Sequence, residues 1–281
     1  LGNADCLTVP SATANPLGTT YTIECWHYRT GTASSGSYTS VMQLACTNAY
    51  GTSVTGFMLT YDGSSAFNFR DSSSSIVLTY SSTNLAVNTW YHVAVVRNGS
   101  GSNNMAMYIN GVSVATGTSS GTQTTQTAIY IGGDGSANCS FPGLISNFRI
   151  TKGQALYTAT FTPATSPLTT TSQGITTGTV SLLTCQSSTL IDNSTNAFTV
   201  TKNGSPQISG FIPFVPSSSY ATYGSAYFNG SSDYSTVADN VALQMGSSDF
   251  TYEAWIYPTS VPNAYHSIFS KRGVAANYAG V

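Results

Sequence analysis

Apolar and polar residues alternate with a period of two through most of the first 160 residues. Short alternating runs rich in Val, Ile, Tyr, Phe and Thr are typical of strands with one buried face. No stretch shows a sustained helical apolar period, so the pattern predicts an all-β protein. Ten strands are predicted in this part of the chain, near residues 21–28, 40–46, 56–61, 66–70, 76–80, 89–97, 105–110, 112–116, 128–132 and 143–150.

Two turn signals indicate how neighbouring strands are connected. Asn110-Gly111 separates two strand-like runs by two residues, which predicts a hairpin with a type I′ turn. Tyr61-Asp62-Gly63 predicts a second hairpin. Many short strands joined by such turns favour two antiparallel sheets packed face to face, and we predict a jelly-roll sandwich.

One sequence motif occurs twice, about 229 residues apart. Residues 2–9 (GNADCLTV) match residues 230–237 (GSSDYSTV), and residues 21–28 (YTIECWHY) match residues 250–257 (FTYEAWIY). Self-similarity at a fixed offset is the signature of a repeated structural unit. The sequence therefore predicts a tandem repeat whose second copy is incomplete.

The position of the motif predicts the domain organisation. We expect a first jelly roll in residues 1–160 that lacks its first strands, a linker in residues 161–179, and the N-terminal part of a second jelly roll in residues 180–281. Half a sandwich does not bury its core by itself. Two explanations are open: the sequence is an excerpt of a longer chain, or residues near 180–227 complete the first domain of a neighbouring chain.

The composition argues against two kinds of binding, to nucleic acids and across a membrane. The net charge is −2, with eight Lys and Arg residues in total, so no basic surface is available for nucleic-acid phosphates. No long apolar segment is present, so no membrane span is predicted. Only 6% of the residues are charged, against about 25% in ordinary soluble domains. Hydroxyl and amide side chains must therefore hydrate the surface.

The five cysteines form no Cys-x-x-Cys motif, which argues against a zinc ribbon or a thioredoxin-like centre. Cys6 and Cys25 lie in strand-like runs and are expected to be buried as small apolar residues. Cys46 and Cys139 lie at strand ends and are the best candidates for an intramolecular disulfide. The sequence does not decide the pairing.

Four segments of the first unit resemble the laminin-G/pentraxin branch of the concanavalin A-like lectin/glucanase superfamily. They are residues 88–97 (NTWYHVAVVR), 107–111 (MYING), 129–133 (IYIGG) and 141–150 (FPGLISNFRI). The resemblance implies a jelly-roll fold. It does not choose a function, because the same fold is used by lectins, adhesion modules, glucanases and scaffolds.

Two further segments have a narrower resemblance. Residues 146–153 (SNFRITKG) and 182–186 (LLTCQ) are similar to repeats in structural proteins of marine tailed phages. This resemblance implies a virion appendage, fibre or decoration protein, located on the virion or another extracellular surface. It also implies that the chain belongs to a larger assembly, with other virion or surface proteins as partners.

The carboxylates argue against hydrolysis. Glycosidases use two carboxyl groups on either side of the scissile bond, and the enzymes of this superfamily resemble one another in a Glu-x-Asp-x-x-Glu strand that this chain lacks. The glutamates of the chain are Glu24 and Glu253, which occupy the same position of the repeat. Glu24 alternates with apolar neighbours and is expected to point away from the core. We predict a protein that is not an enzyme.

Calcium is the one cofactor that the sequence allows. Laminin-G-like and pentraxin-like domains often bind calcium through loop acids and carbonyls, and residues 192–196 (DNSTN) resemble such a loop. Asp192 and Asn196 are the candidate ligands. However, relatives often carry an acidic pair where this chain has Ser146-Asn147. Turn formation by Asp192 is the alternative.

Glycan binding requires an aromatic platform with amide, carboxylate or hydroxyl groups in an open loop cluster. The candidates for such a site are Tyr50, Tyr61, Asp62, Asp134 and Asn138. Trp26 and Trp90 lie in regular strands and are expected to be packing residues. The function predicted first is a non-enzymatic virion or cell-surface protein with lectin-like binding. The alternatives are a structural spacer without a ligand and a carbohydrate-binding module of a larger hydrolase.

Overall fold

The computed structural model describes residues 5–10, 17–31, 42–47, 56–62, 66–72, 75–121, 126–134, 141–214 and scattered residues between 232 and 270. They belong to two units, Leu1–Gly224 and Ser225–Val281. The described residues of the first unit form thirteen β-strands and no α-helix, which confirms the predicted all-β class. Within the described ranges, no helix has the length and apolar character needed to cross a membrane.

The strands form two antiparallel sheets, as predicted for a jelly-roll sandwich. The strands are β1 (Cys6–Pro10), β2 (Thr20–Arg29), β3 (Met42–Cys46), β4 (Met58–Asp62), β5 (Ala66–Arg70), β6 (Ile76–Ser81), β7 (Trp90–Asn98), β8 (Met105–Ile109), β9 (Val112–Gly117), β10 (Ala128–Ile131), β11 (Gly143–Lys152), β12 (Thr179–Thr184) and β13 (Thr201–Asn203). One sheet has the order β13-β1-β10-β3-β4-β5-β6, and the other has the order β12-β11-β2-β7-β8-β9.

The core lies between the two sheets and follows the alternation seen in the sequence. Along β2, Tyr21, Ile23 and Cys25 face the core, whereas Glu24 and Trp26 lie on the outer face. The facing sheet contributes a group of large buried residues, Phe57, Leu59, Tyr61, Phe67 and Phe69. Each sheet therefore buries one face against the other, as a sandwich requires.

The hairpin predicted at Asn110-Gly111 is confirmed. It joins β8 to β9, and both turn residues have positive φ angles, 49° at Asn110 and 81° at Gly111. Two consecutive positive φ angles define a type I′ turn, whose twist matches that of the flanking strands. Cys6 and Cys25 are buried as expected. Cys139 lies outside the described residues, but Cys46 keeps a thiol that donates to the carbonyl of Gly133 at 3.4 Å, so Cys46 does not form the predicted disulfide.

Two edge strands come from residues that the sequence assigns to the second unit. β12 pairs with β11, with Leu182 opposite Ile150, and β13 pairs with β1, with Asn203 opposite Cys6. One segment of the same chain thus adds an edge strand to each sheet of the first unit. The expected boundary between residues 179 and 180 falls inside β12, because the apolar side chains of this strand are buried against the first unit.

Residues 153–178, which follow β11 and are here called the covering segment, lie over the outer face of the six-stranded sheet. Leu168 is buried there, and its N–H donates to Asn147 Oδ1 at 2.7 Å. Arg149 Nη1 donates to the carbonyl of Thr169 at 2.8 Å. Residues expected in the linker therefore form a covering layer, held by polar side chains that project outward from β11.

In the second unit, the described residues contain one short 3-10 turn, Val241–Leu243, and no strand. They include most of the second copy of the motif, residues 232–237, 250–254 and 256, and none of these residues lies in a strand, unlike the matching residues of β1 and β2. The tandem repeat and the second jelly roll in residues 180–281 therefore stay predictions from the sequence.

Candidate functional site

A polar groove opens at one end of the six-stranded sheet, where β2 begins, β11 ends and β12 runs alongside. Its volume is about 640 Å³, which lies in the range of small-molecule sites. Hydroxyl, amide and amine groups line most of it. The lining residues with such side chains are Thr19, Thr20, Lys152, Thr177, Thr179, Ser181 and Asn196.

Two glycines shape the entrance to the groove. Gly18 precedes β2 with a φ of 76°, and Gly153 follows β11 with a φ of 80°. Both angles are readily adopted only by residues without a Cβ. The Gly153 N–H donates to the carbonyl of Thr20 at 2.8 Å, which ties the two strand ends together. Neither glycine has a neighbouring atom within 4 Å of the position of a Cβ, so the groove is open at this end.

Gln154 positions one wall of the groove. Its Oε1 accepts hydrogen bonds from the backbone N–H groups of Thr176, Thr177 and Gly178, at 2.9, 3.1 and 2.9 Å. Its Nε2 donates to the carbonyl of Gly174 at 2.9 Å. One amide side chain thus satisfies four backbone groups of a segment without secondary structure. It holds Thr177 beside the groove.

The opposite wall depends on the turn after β12. Asn196 Nδ2 donates to the carbonyl of Ser181 at 2.9 Å, which fixes the side chain at the rim of the groove. Lys152 contributes the one basic group of the lining. Partial burial lowers the pKa of the Lys152 amine. The groove thus presents a donor-rich surface with little formal charge.

Tyr61, predicted as an aromatic platform, lies in the core. It is 1% exposed, and its hydroxyl is 2.6 Å from His27 Nε2. The guanidinium of Arg29 lies 4.7 Å from the ring centroid, within the range of a cation–π contact. Because the alternation of β4 turns Tyr61 inward, it offers no face to a ligand and is not a glycan-binding residue.

The other predicted glycan residues are not brought together by the described structure. Asp62 ends β4, and its carboxylate accepts hydrogen bonds from the Ala66 N–H and from Asn68 Nδ2, so it stabilises the β4–β5 hairpin. Asp134 is buried just after β10. Tyr50 and Asn138 lie outside the described residues.

Asp192 forms a turn and does not suit a calcium ion. Its Oδ1 accepts from the N–H groups of Leu183 and Ser194, at 3.0 and 2.9 Å. Its Oδ2 accepts from the Ser194 hydroxyl at 2.8 Å and the Phe198 N–H at 3.0 Å. Donor hydrogens thus occupy both oxygens, whereas calcium requires free lone pairs. The pairing of Asp192 with Asn196 as calcium ligands does not fit this geometry.

Glu24 points away from the core, as expected, but it is buried under the covering segment. Its Oε1 accepts from Arg149 Nη2 at 2.6 Å and Nε at 2.9 Å. Its Oε2 lies 3.1 Å from His92 Nε2 and accepts from the Tyr157 hydroxyl at 2.8 Å. Burial alone raises the pKa of Glu24, but the His92 hydrogen bond and the Arg149 charge outweigh it and lower the pKa. This carboxylate anchors the covering segment.

Sequence reasoning found one residue of the groove, Asn196, although it was proposed for calcium. The remaining groove residues carry no motif, because Thr and Ser are abundant throughout the chain. A positional signal exists in retrospect: Gly18 and Gly153 flank strand ends that are far apart in sequence. Only the pairing of β2 with β11, which places Lys152 opposite Tyr21, brings them together.

Comparison with known families agrees with this architecture. The model of the Laminin_G_3 family, described as concanavalin A-like lectin/glucanases superfamily, matches residues 1–158. The chain belongs to this superfamily. The matched region covers β1 to β11 and ends before the strands β12 and β13, which complete the two sheets here. No curated protein matches this chain.

Several solved structures are similar to this chain. A candidate carbohydrate-binding protein from Bacteroides ovatus has 14% identity and a TM-score of 0.47, covering 73% of this chain and 59% of its own. A heptameric SAP-like pentraxin from Limulus polyphemus has 14% identity and a TM-score of 0.33, covering 53% and 77%. Domain 4 of a GH43 extracellular arabinanase from Geobacillus stearothermophilus, solved with arabinotriose, has 18% identity and a TM-score of 0.33, covering 48% and 61%. These likenesses concern the fold alone.

Proposed function

We propose that this member of the concanavalin A-like superfamily is a non-enzymatic glycan-binding protein, and that the polar groove is its binding site. The observation that carries the proposal is the chemistry of the groove: hydroxyl groups of Thr20, Thr177 and Thr179, one amine and one amide around an open volume of about 640 Å³. Saccharides present many hydroxyls and ring oxygens, which such groups bind without a formal charge on the ligand.

The buried position of Glu24 supports a binding role over hydrolysis. A glycosidase needs one carboxyl group as an acid and a second as a base or nucleophile, both in contact with the sugar. Glu24 is 1% exposed and is held in its charged form by Arg149 and His92. It therefore has no access to a substrate. Within the described residues, no group of three or more His, Cys, Asp and Glu side chains is placed to hold a metal ion.

We further propose that the protein acts on the surface of a virion, as a phage appendage, fibre or decoration protein. The support is the similarity of residues 146–153 and 182–186 to phage structural repeats, together with the low content of charged residues. Individual glycan contacts are weak. Many copies in one assembly would raise the overall affinity through a high effective concentration.

Glycan-array binding of the full chain tests the groove. Thr179→Val and Thr177→Val remove a hydroxyl without changing side-chain shape, and Lys152→Met removes the amine. Thr201→Val is the matched control, because Thr201 is an exposed threonine on β13 outside the groove. We expect the Thr177→Val/Thr179→Val double variant and Lys152→Met each to lose at least tenfold in affinity, and the control to retain the affinity of the parent.

Two results would contradict the proposal. Glycan binding that survives both groove variants would place the site elsewhere on the molecule. A silent array, with a regular assembly visible by electron microscopy, would favour the structural spacer. A hydrolase domain encoded next to this segment in the full gene would favour a carbohydrate-binding module of a larger enzyme.

A further inference from the structure

Aromatic side chains line the outer face of the six-stranded sheet, opposite the core. Trp26 and Tyr28 project from β2, and Trp90 projects from β7, directly across from Tyr28. The rings of Tyr28 and Trp90 have centroids 5.5 Å apart. Since residues at i and i+2 of a strand share one face, these three rings form a continuous aromatic surface, here called the aromatic platform.

A segment without secondary structure, residues 204–214, covers the aromatic platform. Phe211 packs edge-on against Tyr28 with a centroid distance of 5.0 Å and also contacts Trp90 at 5.8 Å. Phe214 packs edge-on against Trp26 at 5.9 Å. We call residues 204–214 the strap. Phe214 is 7% exposed and Phe211 is 54% exposed, and Trp26, Tyr28 and Trp90 are half-buried beneath them.

The strap leaves the polar atoms of the platform unsatisfied. The indole Nε1 atoms of Trp26 and Trp90 are buried and have no hydrogen-bond acceptor among the described residues. Buried indole N–H groups usually find a partner, and leaving one unpaired costs free energy. Phe211 and Phe214 carry no side-chain acceptor. The strap thus matches the apolar character of the platform but not its hydrogen-bonding character.

The strap is also weakly attached. Within the described residues, no backbone hydrogen bond joins residues 206–214 to either sheet. The Phe211 N–H donates inside the strap itself, to the hydroxyl of Ser209 at 3.1 Å. Phe211 is 54% exposed, and Ile208 and Ile212 are exposed to a similar extent. Few contacts and exposed apolar side chains are features of segments that open at low free-energy cost.

We propose that the aromatic platform is a second saccharide site, and that the strap covers it by placing Phe211 and Phe214 where sugar rings bind. The C–H face of a pyranose carries partial positive charge and packs on the negative face of an aromatic ring. Its hydroxyl and ring oxygens accept from the indole N–H groups of Trp26 and Trp90. A neutral oligosaccharide therefore supplies the acceptors that the strap lacks.

The proposal shares its ligand class with the proposed function, but the two sites use different residues. Lys152 and Thr179 line the groove, whereas Trp26, Tyr28 and Trp90 form the platform. Binding at one site can therefore be removed without touching the other. The strap makes the second site conditional: the ligand must displace Phe211 and Phe214 before it reaches the indoles.

Tryptophan fluorescence of the full chain tests the platform. The sequence contains three tryptophans, and a Trp255→Phe background leaves Trp26 and Trp90 as the emitting residues. We expect cellohexaose or maltohexaose to bind the Phe211→Ala/Phe214→Ala variant at least tenfold more tightly than the parent, with a change in emission. Phe211→Ala alone gives a smaller gain, and it preserves the fold because Phe211 is half exposed.

Matched controls distinguish exposure of the aromatic platform from a general loss of packing. Phe250→Ala also removes a half-exposed phenylalanine, but Phe250 belongs to the second unit, so we expect no change in affinity. Adding Trp90→Ala to the strap variant should abolish binding, whereas adding Lys152→Met should not. The proposal is overturned if Phe211→Ala, with the circular dichroism of the parent, shows no emission change with either saccharide, or if binding survives Trp90→Ala.

The same titrations distinguish failure of this proposal from failure of the groove. Saccharide binding at the platform can persist in Lys152→Met while the glycan-array signal is unchanged in every groove variant. That combination would reject the groove as a binding site and support the platform. The opposite combination is array binding that depends on Lys152 and Thr179, with no change of emission in the strap variants. It would reject the platform as a binding site and support the groove.

Discussion

His27 shows how the core constrains a single ionisable residue. Its side chain faces the interior from β2, with its Nε2 2.6 Å from the Tyr61 hydroxyl and its ring against Phe67. Burial, reinforced by the positive charge of Arg29, lowers the pKa of His27 from 6.5 to about 3. The folded protein therefore keeps this imidazole neutral at pH values where the unfolded chain protonates it.

The lowered pKa of His27 predicts a loss of stability in mild acid. Above pH 6.5 the imidazole is neutral in both states, so its contribution is fully present; it is lost as the pH falls from 6.5 towards 3, because the unfolded state gains a proton that the folded state excludes. The expected loss is about 1.4 kcal/mol per pH unit within this window. Urea unfolding at pH 7, 6, 5 and 4 measures it. His27→Gln should flatten the profile between pH 6 and 4, and an unchanged slope in that variant would refute the assignment.

At the scale of elements, the β8–β9 hairpin is joined to the covering segment through Gly111. The N–H of Phe161 donates to the Gly111 carbonyl at 3.0 Å. A Cβ on Gly111 would overlap the carbonyl oxygen of Phe161. The ring of Phe161 stacks on Tyr157 with a centroid distance of 3.5 Å and an interplanar angle of 4°. The turn residue is therefore also the docking point of a segment 50 residues later in the chain.

Replacing Gly111 with alanine can distinguish two effects: loss of the contact with Phe161, and the strain that a Cβ causes at a positive φ. Gly111 and Gly99 have similar φ angles, 81° and 78°, but a Cβ on Gly99 would meet no atom within 4 Å. Both alanine variants incur about 1–2 kcal/mol for the left-handed conformation. We expect Gly111→Ala to lose about 1–3 kcal/mol more, because the covering segment must move. Thermal and urea unfolding compare the two variants. Equal losses would show that the contact with Phe161 contributes nothing.

The sequence predicts strands and covering segments with different success, for a physical reason. The ten predicted strands correspond to β2–β11, because apolar and polar residues alternate along most of them and give a period of two. The covering segment from Gly153 to Gly178 has no period, and its buried residues, such as Tyr157 and Leu168, follow no regular spacing. Its position depends on partners that are distant in sequence, including Glu24 and Arg149.

The two candidate sites could not be predicted from the sequence, for a related reason. The groove is made of threonines that look like any others in this chain, and the strap is recognisable only by what it covers. Trp26 and Trp90 were expected to be packing residues, and the structure does pack them, but against Phe214 and Phe211 on the outer face. Alternation locates a residue on one face of a sheet. It does not tell whether that outer face is exposed or covered.

For the whole molecule, the question is which residues complete the first unit. The repeat assigns residues 180–227 to the second copy, whereas the structure places β12 and β13 at the edges of the two sheets of the first unit. Because both strands come from the same chain as their partners, completion of this unit does not require exchange between chains. A same-chain arrangement predicts that the protein with residues 1–214 sediments as a single chain, whereas head-to-tail exchange predicts oligomers.

Truncation decides how much of the chain the first unit needs. A fragment of residues 1–160 lacks β12 and with it the buried Val180, Leu182 and Leu183. Burial of one such side chain contributes about 1.5–3 kcal/mol, so their combined loss is comparable with the total stability of an ordinary domain, about 5–15 kcal/mol. We expect the fragment of residues 1–214 to unfold cooperatively in urea and the shorter fragment to lack near-ultraviolet circular dichroism and a cooperative transition. If residues 1–160 unfold cooperatively with the same midpoint as residues 1–214, the first unit ends where the sequence placed it, and β12 and β13 contribute no stability to the first unit.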